Sequence, residues 1–368
     1  TILNNLDELP KGILLWRAIL QWLGGIGIVV IALVILPFLR IGGMQLFHLE
    51  GDDPYDKFLP KISSVVTKIV IVYSALTGLL FILYYLNEMS LFDALAHSLT
   101  TISTGGFSTH DSSFAYFQSN IILFIAIIFM VVGSLPFLLL AQTNFNNILS
   151  ITKDHQIRLF LVILILAIVL IYYFANSYVD GGALDKLITI SFNTVSIISG
   201  TGYVSSNFEK WGNYASVLFL LLMFIGGCAG STTGGLKIFR FQILFKYIHL
   251  HLKKMLKPHM VLTAQFNGKK VPESTYESVM TFFFVYILTF SASALLLSFS
   301  GLDFLTCISA AASSISNVGP GLGEIIGPEG NYNSLSDYSK FIIAITMFLG
   351  RLEMLTIFVL LLPSFWKS

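Results

Sequence analysis

Charged residues are scarce in this sequence, and cysteines are scarcer still. Asp, Glu, Lys and Arg make up 11% of the 368 residues, whereas a soluble protein carries roughly a quarter. The net charge of +1 gives no reason to expect a nucleic-acid partner. Cys228 and Cys307 both fall in apolar segments, so a disulfide framework is not expected. A chain so poor in charge is predicted to have lipid as its natural solvent.

Long apolar runs are what the sequence has in abundance. Apolar residues make up 55% of the chain, and the mean hydropathy is +0.81. Roughly 20 consecutive apolar residues span a bilayer, so the runs predict an all-α polytopic membrane protein with about seven spanning helices. The predicted spans are 14–39, 65–86, 121–141, 159–175, 215–228, 279–299 and 341–363.

Basic residues are concentrated on one side of these predicted spans. The connectors 40–68, 153–158 and 237–270, together with Lys367, hold 15 of the 21 Lys and Arg residues. Basic connectors face the cytoplasm in most membrane proteins. We therefore expect this side to be cytoplasmic and the more acidic side to be external.

Three polar, glycine-rich stretches interrupt the apolar runs on the predicted outer side. They are HSLTTISTGGFSTHD (97–111), SIISGTGYVSSN (196–207) and SSISNVGPGLGE (313–324), and each contains the pattern I-S-x-x-G. Each is preceded by an aspartate and about 12 to 15 small, Ser/Thr-rich residues. Recurrence of this order indicates a repeated structural unit.

The repeated unit has a physical interpretation as a half-helix that enters the bilayer and stops. Asp93, Asp185 and Asp303 are each predicted to cap the N-terminus of such a helix. A helix of this length is only about 20 Å long, so it ends near the middle of the bilayer. The glycine segment must then return as irregular backbone, which survives at that depth only inside protein or beside a water-filled cavity.

Backbone carbonyls beside such helix ends can bind a dehydrated monovalent cation. Glycine suits this role because a residue without Cβ lets the carbonyls turn inward. The stretches could instead be ordinary external loops, but three copies in register favour pore loops. The predicted cation-binding residues are Ser103, Thr104, Gly105, Gly106, Gly200, Thr201, Gly202, Asn317, Val318 and Gly319.

A fourth glycine-rich segment, GGCAGSTTGGLK (226–237), interrupts a predicted span midway. Its small residues would also suit a close helix–helix contact, which stays an alternative. A nucleotide-binding P-loop is excluded because Leu236 stands where that motif requires lysine.

Arg351 lies about ten residues into the last predicted span. A charge at that depth is expensive, so the side chain should face the interior or water and have a partner. Residues two apart on a helix do not face each other, so Glu353 is not expected to be that partner. A distant carboxylate that serves assembly alone is the alternative.

With these motifs in view, the sequence resembles the Trk/Ktr/HKT superfamily of potassium transporters, and most closely its bacterial TrkH-type subunits. The resemblance covers essentially the whole chain and is strongest at 16–37, 226–241, 313–332 and 349–366. It implies tandem helix–pore loop–helix repeats, each similar to a potassium-channel subunit, around one pore.

The resemblance divides the chain into parts of four repeats, and it places a first filter upstream of Thr1. The implied parts are 1–39 (the second helix of the first repeat), 40–150 with filter 104–106, 151–256 with filter 200–202, and 257–368 with filter 317–319.

Potassium uptake across the bacterial inner membrane is the function that the resemblance implies. In the family, glycine at the positions of Gly106, Gly202 and Gly319 goes with potassium rather than sodium permeation. The transported ligand is then K+, and no covalently bound cofactor is implied. A Ktr-type or sodium-coupled transporter of the same fold is the runner-up. A membrane enzyme or scaffold is a third possibility, for which the sequence offers no acid–base, nucleophile or metal motif.

By resemblance, the segment 226–235 lies beneath the filter, and its movement opens the pore. Arg351 is expected to hold this loop through its carbonyls or hydroxyls, and Lys237 and Arg240 to lie at the inner mouth in contact with a regulator. The implied partners are a cytoplasmic nucleotide-binding TrkA-like subunit, a second copy of the chain and membrane lipid. The predicted gate residues are Gly226, Gly227, Gly230, Ser231, Thr232, Thr233, Gly234, Gly235 and Arg351.

Overall fold

The computed structural model describes residues 1–34, 58–142, 152–257, 265–266, 269–363 and 366. Apart from turns and loops, this part of the chain is helical, with one antiparallel hairpin of two short strands, β1 (Gln265–Phe266) and β2 (Lys269–Lys270). The predicted connector 40–68 lies largely outside it. The helices are α1 (Lys11–Val34), α2 (Phe58–Leu86), α3 (Leu91–Ile102), α4 (Asn120–Gly133), α5 (Phe137–Gln142), α6 (His155–Ala175), α7 (Ala183–Ile198), α8 (Asn213–Met223), α9 (Ile238–Leu256), α10 (Glu273–Ser298), α11 (Phe304–Ser316), α12 (Asp337–Arg351) and α13 (Met354–Leu361).

The predicted all-α polytopic class is confirmed, although fewer spans are continuous than the apolar runs suggest. In the described part of the chain, α1, α2, α6 and α10 are long and apolar enough to cross a membrane by themselves. The pair α12 and α13 would make a fifth span, but it is bent by 102°. Hydropathy registers the apolar length of a run, and it does not register a break within it.

Three of the predicted spans are broken helices. The run 121–141 stops at Gly133 because Pro136 lacks an N–H and restrains Leu135. The run 215–228 stops at Met223. The run 341–363 turns where Glu353 adopts a left-handed backbone, with φ 57°. These breaks all lie beside the predicted site.

Each half-helix packs in an equivalent place. The half-helix α3 lies against the spanning helices on either side of it, α2 and α4, and also against α1. In the same way α7 contacts α6, α8 and α4, and α11 contacts α10, α12 and α8. A half-helix therefore touches its own two neighbours and the helix that closes the preceding unit.

The half-helices form the interior of the molecule. Residues Ser309–Ser316 of α11 are all buried, and they are mostly Ala and Ser. In contrast, only 28% of an 18-residue apolar stretch of each continuous span is buried, and exposed side chains of the spans are large and apolar, such as Val169 and Phe284. Small residues inside let helices approach closely where lipid offers no hydrophobic driving force between them.

The aspartates begin the half-helices in two different ways. Asp303 is the N-cap of α11, and its carboxylate accepts from the N–H of Thr306 at 3.0 Å. Asp93 lies in the first turn of α3, where Ser90 is the cap, and the carboxylate of Asp185 accepts from the N–H of Gly182 at 2.9 Å. The predicted capping is therefore confirmed for Asp303 and, through the third residue of a capping box, for Asp185. It is wrong for Asp93, because Ser90 caps that helix.

Candidate pore filter and intramembrane loop

The half-helices α3, α7 and α11 end in the same backbone motif. A residue with a left-handed backbone follows each helix end: Thr104, Gly200 and Asn317, with φ of 47°, 67° and 56° respectively. In the first two cases a C-cap serine stands between the helix and this residue. Its N–H donates to the carbonyl three residues back, and the next N–H donates to the carbonyl five residues back. Such a pair of bonds is a Schellman motif, which satisfies the last carbonyls of a helix.

These hydrogen bonds also orient the carbonyls of the three tripeptides 104–106, 200–202 and 317–319. The N–H groups of Gly105, Thr201 and Val318 point back to their own half-helices, at 2.8, 2.9 and 2.9 Å. The C=O and N–H of a trans peptide point in opposite directions. The carbonyls that precede these N–H groups therefore point away from the half-helices.

The tripeptides lie directly against one another. A Cβ built on Gly106 would be 1.7 Å from the carbonyl oxygen of Thr201, and one on Gly202 would be 2.0 Å from that of Val318. Both glycines also have φ of 77°. Glycine is required at these two places by close approach and by backbone conformation together. The order around the assembly is 104–106, then 200–202, then 317–319.

Tyr203, which follows the second tripeptide, links it to the first unit. Its buried hydroxyl hydrogen-bonds the hydroxyls of Thr100, at 2.5 Å, and Thr101, at 3.2 Å, in α3. Its carbonyl accepts from Ser196 at 2.7 Å. An aromatic side chain thereby braces neighbouring units behind the tripeptides.

A cavity of about 620 Å³ lies between the third tripeptide and the first. Its wall includes Gln21 of α1, Thr104, Asn317, Gly319 and Arg351. The ten predicted cation-binding residues thus lie around one region. Six of them line this wall, and three more, Gly106, Thr201 and Gly202, lie at the tripeptide junctions.

The loop 226–235 is closed at its neck by backbone pairing. Gly226 N–H donates to the carbonyl of Leu236 at 2.9 Å, and Leu236 N–H donates to that of Phe224 at 3.1 Å. Inside the loop, the Thr233 hydroxyl accepts from the N–H of Gly227 at 3.0 Å. The segment is a compact, hydrogen-bonded loop rather than a helix–helix contact surface.

The same loop lies against the ends of the half-helices. The Thr232 hydroxyl donates to the carbonyls of Gly133 and Ile102, at 3.0 and 3.3 Å, and hydrogen-bonds Thr104 Oγ1 at 3.0 Å. A Cβ on Gly234 would be 2.1 Å from the carbonyl oxygen of Ser316. The loop therefore contacts the backbone from which the first and third tripeptides begin.

The break between α4 and α5 is satisfied by the loop. Cys228 N–H donates to the carbonyl of Ser134 at 3.0 Å, and Phe137 N–H donates to that of Gly230 at 2.9 Å. Backbone groups freed by a break must find partners inside the membrane. The loop and the broken helix thus satisfy each other's backbone hydrogen bonds.

The predicted inner-mouth residues face inward. The ammonium group of Lys237 donates to the carbonyl and to the hydroxyl of Thr233. Arg240 is fully buried, donates to Glu353 at 2.5 Å and lies over the ring of Phe282 at 3.7 Å. The predicted contact of Arg240 with a regulator is wrong because the side chain has no exposed surface.

Arg351 lines the cavity beside Thr104 and Asn317. In the described part of the chain no hydrogen bond joins it to the loop 226–235, so the predicted contact is not found there; Lys237 makes that contact instead. The expectation that Glu353 is not the partner of Arg351 is met, because Glu353 pairs with Arg240.

A cluster of ionisable residues lies on the side of the half-helix N-termini. His110 stacks on Tyr116, with ring centroids 3.5 Å apart, and hydrogen-bonds Asp7, while its Nε2 is 3.5 Å from Asp93. Partial burial alone would lower the pKa of His110. Hydrogen bonds and charges from Asp93 and Asp7 outweigh burial, so the pKa is raised above its usual 6.5. His97, by contrast, is a packed residue of α3 bonded to Ser108 at 2.9 Å.

Sequence reasoning missed two residues of the site, Gln21 and Glu353. Gln21 contacts the first tripeptide, but a single amide in an apolar helix carries no motif. Glu353 is a carboxylate inside a predicted span, and that position is itself a signal that a buried cation lies nearby. No cluster of His, Cys, Asp and Glu suited to a metal occurs among the described residues.

The geometry defines a multi-pass membrane protein with three re-entrant half-helices meeting at one place. The whole chain, residues 1–368, matches the TrkH family, described as "Cation transport protein". The chain therefore belongs to this family of inner-membrane transport proteins, and it is not an enzyme.

Individual relatives agree with this assignment. The chain is 41% identical to the Trk system potassium uptake protein TrkI of Halomonas elongata and 35% identical to TrkH of Escherichia coli, over 100% of its own length and 75% and 76% of theirs. It is also similar to the crystal structure of the potassium transporter TrkH from Vibrio parahaemolyticus. That match has a TM-score of 0.88 and 35% identity, and covers 100% of this chain and 75% of the other.

Proposed function

We propose that this protein takes up K+ through a selectivity filter to which the tripeptides 104–106, 200–202 and 317–319 contribute. The observation that carries the proposal is the backbone conformation that the tripeptides share. Each begins with a left-handed residue, and its first two N–H groups donate to carbonyls of its own half-helix, so that the carbonyls that precede the second N–H groups point away from that helix. Carbonyls so arranged replace the hydration shell of a cation. The C-terminal ends of three half-helix dipoles add negative potential at the same place.

K+ is the proposed ion for two reasons. The relatives TrkI and TrkH are named as potassium uptake proteins. The third position of each tripeptide is glycine, at 106, 202 and 319, as in the potassium-selective members that the sequence resembles. The proposed division into repeats, 1–39, 40–150, 151–256 and 257–368, follows from the same recurrence of half-helix and tripeptide.

The loop 226–235 is the proposed gate. Its contacts with Thr104 and Ser316 support a position across the ion path, and Arg351 adds a positive charge to the cavity wall. Opening requires the loop to leave the break at Ser134, where three backbone partners hold it.

We further propose that the tripeptides face outward, that the basic connectors face the cytoplasm, and that the protein is a homodimer with a TrkA-like nucleotide-binding regulator. The regulator would contact the exposed end of α9, with Lys253, Lys254 and Lys257, since Lys237 and Arg240 are turned inward. Light scattering of the purified protein tests the dimer, and loss of regulator capture after charge reversal of these three lysines tests the contact.

Uptake of Rb+ and Na+ by potassium-starved cells that express the full-length protein tests the filter. Gly202→Ser should lower the ratio of Rb+ to Na+ uptake, because a Cβ there meets the carbonyl of Val318 at 2.0 Å. Gly78→Ser is the matched control, since nothing lies within 4 Å of a Cβ at that position in α2. Absence of Rb+ uptake by the parent, or an unaltered ratio in a folded Gly202→Ser protein, would contradict the proposal.

A further inference from the structure

Gln21 makes a two-point contact with the first tripeptide from outside it. Its Nε2 donates to the carbonyl of Gly105 at 2.5 Å, and its Oε1 accepts from the N–H of Phe107 at 3.0 Å. The side chain belongs to α1, which packs along the half-helix α3. One amide therefore pairs with both peptide planes that flank Gly106, as a neighbouring strand would.

This contact sets the direction of the Gly106 carbonyl. The N–H of Phe107 points to α1, and in a trans peptide the carbonyl of Gly106 must point the other way. Gly106 has no Cβ and has φ of 77°, so its own backbone preferences restrain it little. An external partner is the means of holding its peptide planes in one orientation.

The glycine at position 105 is explained by the same contact. A Cβ on Gly105 would lie 2.4 Å from Oε1 and 2.5 Å from Cδ of Gln21. The equivalent residues of the other tripeptides are Thr201 and Val318, and within the described part of the chain no side chain donates to their carbonyls. Only the first of the three tripeptides has glycine at its middle position, and that is the position that the amide of Gln21 approaches.

We propose that Gln21 is a positioning residue of the ion path. It fixes the backbone of residues 105–107 so that the carbonyl of Gly106 stays turned toward the passing cation. The inference rests on the proposed filter and extends it by assigning a support outside the pore-loop motifs. A role in helix packing alone would affect stability and leave ion discrimination unchanged, so discrimination is the decisive readout.

Two substitutions separate these roles in the full-length protein. Gln21→Met keeps the length and volume of the side chain and removes both hydrogen bonds. Gln21→Glu keeps the acceptor for the Phe107 N–H and turns a second oxygen toward the carbonyl of Gly105. Leu20→Met, on the exposed face of the same helix turn, is the matched control.

The ratio of Rb+ to Na+ uptake is measured for each variant, with the thermal stability of the purified protein in detergent. We expect the ratio to fall roughly tenfold in Gln21→Met, the effect of weakening two hydrogen bonds of ordinary strength, and to fall in Gln21→Glu also. Leu20→Met should match the parent.

An unchanged ratio in a folded Gln21→Met or Gln21→Glu protein would overturn the inference, whether or not stability had dropped. If Gln21→Met does not fold, the uptake ratio of Gln21→Glu tests the inference, since glutamate has the same shape as glutamine and keeps the contact with the Phe107 N–H. If the variants match the parent while Gly202→Ser loses discrimination, only the role of Gln21 is rejected. If the parent itself takes up no Rb+, the proposed function fails first.

Discussion

Thr104 has a left-handed backbone, with φ 47°, although a β-branched residue is strongly disfavoured there. Two contacts hold it: its hydroxyl donates to the carbonyl of Ser103 at 2.8 Å and hydrogen-bonds Thr232 of the loop at 3.0 Å. Asn317 reaches the same conformation more easily, because Asn tolerates it. Strain of this kind persists only where the surroundings over-determine it, as at functional sites.

The titration of His110 should make the stability of the protein depend on pH. Its pKa is raised in the folded protein because Asp93 and Asp7 stabilise the imidazolium, so its contribution to stability is present below about pH 6.5. That contribution is lost as pH rises through the elevated folded-state pKa. We expect the thermal stability of the purified protein to fall across this range, measured as the unfolding temperature in detergent.

His110→Gln is the control for that titration, because it keeps a polar side chain and removes the ionisable ring. The difference in unfolding temperature between parent and variant should be largest near pH 6 and should shrink at higher pH. A difference that is independent of pH would assign the effect to stacking on Tyr116 instead.

At the scale of elements, the bend between α12 and α13 is fixed by an ion pair with another helix. Arg240 is in the first turn of α9, just after the loop, and Glu353 is the left-handed residue at the bend. Their contact therefore joins the end of the loop to the 102° turn that follows Arg351. The two irregular elements are tied to each other rather than stabilised separately.

Arg240→Met should destabilise the protein by about 3–5 kcal/mol, because it removes the cation from a carboxylate whose side chain is 12% exposed. The double variant Arg240→Met/Glu353→Met should regain most of that loss. Thermal or denaturant unfolding in detergent measures both effects.

Lys210 and Glu329 form the matched exposed pair, 3.6 Å apart with side chains 73% and 63% exposed. Lys210→Met should cost less than about 1 kcal/mol. A double variant no more stable than Arg240→Met would show that the cation–π contact with Phe282, and not the carboxylate, accounts for the loss.

At the scale of the whole molecule, the central half-helices are rich in small and hydroxylated residues, whereas the exposed faces of the spans carry large apolar side chains. Lipid covers the spans, and the half-helices meet in the centre, where the loop lies against Thr104 and Ser316. The proposed ion path is therefore built from elements of distant parts of the chain.

Arg351→Ala tests the path at this scale. Removing the charge from the cavity wall should raise Rb+ uptake several-fold, since a positive charge opposes an entering cation, and should weaken control by the proposed regulator. Uptake by cells expressing the full-length protein measures this. Lys210→Ala, an exposed cation outside the cavity, should leave uptake unchanged. Unaltered flux and regulation in Arg351→Ala would reject a role of Arg351 in the ion path.

Much of the site could be predicted from the sequence because its determinants are local. A Schellman motif needs a helix, a residue that tolerates a left-handed backbone and a few small neighbours, and these recur at 104, 200 and 317. The loop 226–235 could be located for the same reason, by its glycines. Breaks such as the one at Glu353 could not, because apolar residues continue on both sides.

By itself, the sequence determined a membrane-spanning helical chain with three half-helices, since hydropathy and a repeated short motif act over short distances. Only the tertiary structure decided which groups meet. Gln21 reaches Gly105 across 84 residues, Arg240 reaches Glu353 across 113, and Thr232 reaches Thr104 across 128. A hydrogen bond or ion pair depends on separation in space, and that separation is set by how the helices pack.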